Sequence, residues 1–361
     1  MQARPEDTFD QIFRDYGGRL QSDELESTSG MLDPPFIVSQ LLHRARLVVH
    51  SFKSTYPHFF PKDIWIDIIR NPKFNAIATS RPDRDYVAFF SGMPIPLSYL
   101  FFDWLSHPDV LSDIGNAAVE KQQFTDLRTI PFWIPADEAR REYCTKLLVH
   151  ALDFIICHEL QHLFLGHTDY LRVRFGHAEF PEIGMTRLQS LRPCDFRALE
   201  WDCDRAAIRT IYCTLRIDFE KGVHADTYAT LDEALRGLML SLSTVFSFMS
   251  FYESRLNSGC ESTHPHPQTR CYLAATAVYE QALQDEDREG AEHIKNVFLS
   301  AHREAVSIWN GFRTCSFPIE YICCEDDIKQ MYRDVIRLKK ELKPYCRYCT
   351  DMPSDWRELI R

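Results

Sequence analysis

Apolar residues recur at helical spacing over most of the chain. In "IVSQLLHRARLVVHSF", from Ile37, they return every three or four positions, which predicts an amphipathic helix. "EYCTKLLVHALDFIICHELQHLFLG", ending at Gly166, predicts a long helix with Asp137 as its cap and Gly166 as its stop. Phe154 to Cys157 precede its polar centre and Leu163 to Leu165 follow it, so this helix is apolar nearly all round and should be buried. "DFRALEWDCDRAAIRTIYCTL" predicts another helix, opened by Asp195 after Pro193. The period falls to two in "FNAIATS" and "DYVAFFSG", which read as two strands joined by the turn "RPDR". Residues 1–34 are polar and acidic, and predict a loosely ordered arm or one short helix around Phe9 to Tyr16. The expected fold class is therefore α+β, mostly helical, with a small antiparallel sheet placed before the long helix.

Bulk properties narrow the function classes. The chain has 361 residues, 45% of them hydrophobic and 26% charged, which is ordinary globular composition. A formal net charge of -11 argues against a nucleic-acid partner held through phosphate contacts. The uncharged stretch Gly237 to Tyr252 is short for a membrane span and carries Ser and Thr, so it reads as a buried helix and no membrane insertion is expected. The start "MQARPEDTFDQIF" lacks the apolar core of a secretion signal, and the 12 cysteines are then expected as reduced thiols of a cytoplasmic protein.

The polar centre of the long helix is His158-Glu159-Leu160-Gln161-His162. Histidines four apart on a helix share one face and can share one cation, with Glu159 beside an activated water as general base. A five-residue motif arises by chance in a chain with 14 histidines. The apolar flanks argue against a surface helix, because buried histidines and a buried glutamate need a partner. A catalytic zinc takes a third protein ligand and keeps one position open. A histidine shortly after the motif would follow the metzincin spacing, but Leu165 and Thr168 stand where Gly and His are required. His167 is thereby left with a structural role or none. The alternative is an acid from the helix that follows. Its apolar stripe runs Phe196, Leu199, Cys203, Ala207, Ile208 and Ile211, and Glu200 and Asp204 fall inside it. Glu200 can complete a zinc site while Asp204 accepts the other ring N–H of a ligating histidine; the reverse assignment and a buried pair with an arginine are the alternatives.

These residues resemble the gluzincin metallopeptidases related to HtpX and the CAAX prenyl proteases. "HELQH" followed by Glu200 and Asp204 carries the likeness. "STHPHPQTR", with His264 and Arg270, and "FNAIATSRPDRDYVAFFSGMPIPL" add to it in the same order. The soluble layout is also similar to the Lit-type phage-exclusion peptidases, which are cytosolic. The resemblance implies a zincin-like catalytic domain over residues 35–285, after the arm of residues 1–34 and before a helical, cysteine-containing extension over 286–361. It implies His158, His162 and Glu200 as zinc ligands, Glu159 as the base and Asp204 behind a ligand. His264 or Arg270 would stabilise an oxyanion or hold the site together. Tyr86, Val87, Ala88, Phe89, Phe90 and Ser91 would form an edge strand that pairs with an extended substrate. The expected activity is a zinc metalloendopeptidase acting on a protein or peptide, gated by a regulatory protein partner or by occlusion, with the acidic arm as a candidate lid. A catalytically silent zinc protein that binds a partner through the same groove, and a zinc hydrolase of small amides, are the other readings. A second, structural zinc at Cys323, Cys324, Cys346 and Cys349 is disfavoured, because the first pair is adjacent rather than spaced by two.

Overall fold

Proline sets several helix starts in this chain. It occupies the first turn where a backbone N–H has no partner to lose, and its fixed φ suits the helix. The computed structural model describes residues 4–25, 33–121, 133–176, 179–181, 191–223, 226–256, 265–311 and 325–347. In chain order the elements are α1 (Pro5–Ile12), α2 (Pro34–Thr55), β1 (Asp63–Ile69), β2 (Ala76–Ser80), β3 (Arg84–Phe90), α3 (Pro94–Leu105), α4 (Glu138–Phe164), α5 (His167–Phe175), β4 (Glu179–Pro181), α6 (Pro193–Glu220), α7 (Leu231–Leu256), α8 (Pro267–Asp285), α9 (Arg288–Gly311) and α10 (Glu325–Leu342).

α4 is the organising element. Asp137 caps it by accepting from the Arg140 N–H at 3.1 Å. The fully buried Arg140 guanidinium donates to the carbonyls of Leu105, His107, Val110, Leu111 and Ile114, tying the turn after α3 to the start of α4. Glu120 accepts from the N–H groups of Ala136 and Asp137 beside it. A buried arginine is tolerable there because its donors meet carbonyls and a carboxylate. α4 then runs between α2, α3, α6, α7 and β2. α4 and α7 are long and apolar enough to cross a membrane by length and composition, yet 83% of each such window is buried inside the protein. Both serve here as core helices, as the reading of Gly237 to Tyr252 anticipates.

The sheet order is β1-β3-β2-β4. The predicted hairpin is present: β2 and β3 pair antiparallel, with Ala78 opposite Val87. Two expectations are corrected. The sheet is mixed rather than antiparallel, because β1 pairs parallel with β3, Ile66 opposite Val87. The Tyr86–Ser91 stretch is not an edge strand, since β3 spends one side of its backbone on β1 and the other on β2. It therefore has no free ladder for a substrate backbone. β2's other side is taken by β4, with Ala78 opposite Phe180.

The two sheet faces bury different partners, as period-two alternation requires. Ile66, Ile68, Ala76, Ala78, Val87 and Phe89 join the large core that contains α4. Ile69, Ile77, Tyr86, Ala88 and Phe90 form a second cluster with Phe9 and Phe13 from the N-terminal residues. Of the two expectations for the arm, loose chain or one short helix, the helix is present as α1, starting earlier at Pro5, and Phe9 and Phe13 cover the sheet face turned away from α4. The main chain of Gly18 and Leu20 also bonds to Arg70 and Ile68 at the end of β1. Residues 4–25 therefore serve as sheet cover.

Candidate metal centre

α4 brings His158, Glu159 and His162 to one buried place, and α6 supplies Glu200 to it. His158 Nε2 lies 3.1 Å from His162 Nε2 and 3.3 Å from Glu200 Oε2. His162 Nε2 lies 3.8 Å from Glu200 Oε1. Zinc–nitrogen bonds of about 2.0–2.1 Å at tetrahedral angles separate neighbouring ligand atoms by roughly 3.3–3.4 Å. Two imidazoles and a carboxylate at these spacings fit the three protein ligands of a catalytic zinc. The fit rests on the donor set, which converges three groups that have no apolar reason to be buried together.

Against His158 stands Asp204, one turn further along α6 than Glu200. Its Oδ1 is 2.9 Å from His158 Nδ1, so that ring donates its Nδ1–H to the carboxylate and turns a bare Nε2 toward His162 and Glu200. Arg270 of α8 grips the same carboxylate with two bonds, Nε to Oδ2 at 2.7 Å and an amino nitrogen to Oδ1 at 2.8 Å. Burial raises the Asp204 pKa, but Arg270 and His158 outweigh it and hold the carboxyl below its usual range. The Arg270 guanidinium also lies 4.3 Å over the Phe246 ring, which completes its enclosure.

Asp204 is bonded to His158, as expected of an acid behind a histidine, and it also forms the buried arginine pair that was the alternative. Arg270, expected either to stabilise an oxyanion or to hold the site together, is bonded to Asp204 through both Nε and an amino nitrogen. His266, one helical turn before Arg270, caps α8 by accepting from the Gln268 N–H at 3.4 Å. His264 lies outside the described residues, as do Cys323, Cys324 and Cys349. Cys346 donates to the Leu165 carbonyl at 3.0 Å, and no disulfide joins two of the described cysteines.

Sequence reasoning missed the burial of three groups, His167, Asp202 and Arg205. His167, the first residue of α5, has its Nδ1 3.2 Å from His162 Nδ1 and 3.3 Å from Cys203 Sγ. Asp202 lies against His167 and is buried, although the apolar stripe left it outside. Burial alone would raise the Asp202 pKa; Lys339 and then His167 reverse this and bring it to about 2. The Cys203 thiol is pushed up by burial and then by the carboxylates of Glu200, Asp202, Asp204 and Glu159. Arg205 is buried too and pairs with Glu280 at 2.6 Å. The signal that could have found these groups was the length of α6. Twenty-eight residues packed by α4, α8 and α10 have no solvent side for much of their run.

His162, His167 and Cys203 also lie close enough to hold a cation, as do Cys194, Asp195 and Asp334. The last group is already neutralised, because Asp195 pairs with Arg192 and Arg337.

Residues 112–290 match the family model described as Peptidase U49. The match covers just under half of the chain and includes α4, α6 and α8, which carry every residue of the centre. Lit-type phage-exclusion peptidases belong to that family, so the match supports a peptidase and, with it, a protein substrate. Neither curated proteins nor solved structures returned a match.

Proposed function

We propose that the chain is a cytoplasmic zinc metalloendopeptidase of the gluzincin type. His158, His162 and Glu200 would hold the cation, and Glu159 would be the general base. The observation that carries this reading is the convergence of the two imidazole Nε2 atoms and the Glu200 carboxylate at 3.1 to 3.8 Å in the interior. The peptidase family match over the same residues supports it.

When bound, the zinc would polarise a peptide carbonyl and acidify a water. The residues of the chain supply the rest. Asp204 fixes the His158 tautomer by accepting from Nδ1, so Nε2 keeps its lone pair. Arg270 holds Asp204 charged and in place. Glu159 follows His158 on α4 and is fully buried. Its carboxylate would take a proton from water and deliver it to the amine that leaves as the peptide bond breaks. Low local dielectric strengthens each of these interactions.

The intact Glu159 favours hydrolysis over a silent binding role, since holding a metal or a partner needs no base. The direct test uses an unfolded protein substrate. Glu159→Gln should keep the zinc and lose at least about a hundredfold in rate, the usual scale of general base catalysis. His158→Ala and Glu200→Ala should lose zinc and activity together. Cleavage at wild-type rate by pure Glu159→Gln protein would sink the mechanism.

A further inference from the structure

His162 has two ring nitrogens with different neighbours. Nε2 faces His158 and Glu200, while Nδ1 faces His167 Nδ1 at 3.2 Å. On the far side of His167, its Nε2 is 3.7 Å from Asp202 Oδ2. The other Asp202 oxygen is 3.4 Å from Lys339 Nζ on α10. Histidine, histidine, aspartate and lysine thus form one line from the centre to the C-terminal helix. Of these, only the Lys339 side chain has appreciable exposure, at 22%.

We propose that His167, Asp202 and Lys339 are a positioning relay for His162, through which the C-terminal helix holds the metal centre in shape. The inference rests on the zinc reading, because that reading fixes every proton in the line. If His162 gives its Nε2 lone pair to the cation, its hydrogen sits on Nδ1 and is donated to His167 Nδ1. The His167 hydrogen must then sit on Nε2, the nitrogen nearer Asp202. Asp202 is left as a buried carboxylate, balanced by the Lys339 ammonium. This parallels the other ligand, whose line runs His158, Asp204, Arg270. Outer partners of this kind set the ring orientation and basicity of a ligating histidine, and losing one typically costs about 10–100-fold in metal affinity.

The surrounding chain is built to hold this line. Gly166, with φ 76°, turns the chain from α4 into α5, and a Cβ there would meet the Tyr345 carbonyl carbon at 2.4 Å. The Arg347 N–H donates to the Phe164 carbonyl at 2.8 Å, and Cys346 to that of Leu165. The Arg347 guanidinium reaches the buried Asp85 at 2.6 Å. The segment after α10 therefore clamps the end of the HELQH helix, although it lies outside the residues that match the peptidase family.

The competing use of these atoms is a second metal site on His162, His167 and Cys203. It would require His162 to surrender both ring protons, which the relay does not.

The test uses the full chain, with zinc per chain measured first and then the rate of zinc release to a chelator. Wild type should hold one zinc. Lys339→Met and Asp202→Asn should release it at least about tenfold faster. Lys339→Arg should restore slow release, since it keeps the cation. Lys339 is partly exposed, so Lys339→Met should fold even if Asp202→Asn does not. Unchanged release in folded Lys339→Met would overturn the relay while leaving the zinc reading intact. Two metals in wild type, with a thiolate-to-cobalt absorption band lost in Cys203→Ser, would overturn it in favour of the second site. No zinc in wild type would remove the metallopeptidase reading, and the relay with it.

Discussion

At the scale of single residues, the centre depends on charges that are buried but paired. Removing Arg270 would leave Asp204 as an uncompensated carboxylate among buried groups, which typically costs about 3–5 kcal/mol. Arg270→Met should therefore lower stability by about that amount, and Arg270→Lys should recover only part of it because the bidentate fork is lost. Chemical denaturation of the three proteins measures this. The pairing of His158 with Asp204 was legible, because two carboxylates in an apolar stripe call for positive partners. The direction Arg270 faces was not. Spacing from a Thr-His-Pro segment puts an arginine near the site, but only the packing of α8 on α6 decides that it meets Asp204. His167 was illegible for a similar reason. Its neighbours Cys203 and Asp202 come from a different helix, and the break at Gly166 suggested an ending where the chain makes a sharp turn and continues.

At the scale of elements, long periodic helices were the most readable features. The Asp137 cap and the Gly166 stop of α4 both stand where composition put them. The amphipathic stripe of α6 was too narrow a reading, since a helix covered from several sides buries polar groups that one-face periodicity assigns to solvent. The hairpin β2–β3 was legible from alternation. Its place within the sheet was not, because edge and interior strands can share one pattern, and the parallel partner β1 in "DIWIDII" was overlooked. The packing of α7, α8 and α9 carries a pH dependence of its own. His302 of α9 lies 3.1 Å from Ser243 of α7, and burial, then Arg303, lowers its pKa to about 4. The unfolded chain takes up this proton near pH 6.5, whereas the folded chain takes it up only near 4. The unfolded state binds more protons in that window, so stability falls as pH drops from about 6.5 to 4. The melting temperature of His302→Gln should decline less over that range than that of wild type, and parallel curves would contradict this.

At the scale of the whole molecule, residues 4–25 and 325–347 are part of the architecture around α4. The N-terminal residues cover one sheet face through Phe9 and Phe13. Deleting residues 1–34 should then expose Tyr86, Ala88 and Phe90 and cause loss of stability or aggregation rather than faster cleavage. A fully stable deletion protein with a raised rate would restore the lid. The C-terminal segment reaches the end of the motif helix and Asp202. Little of this was legible, because charged residues such as Lys339 and Arg347 give no sign in sequence of which buried carboxylate they meet. The proposed chemistry requires that the two imidazoles and Glu200 hold a metal. The most direct measurement is zinc per chain in protein purified without added metal, for wild type, Glu159→Gln and Glu200→Ala. The account predicts about one, about one and none. No zinc in wild type even after it is offered, or full occupancy in Glu200→Ala, would contradict it.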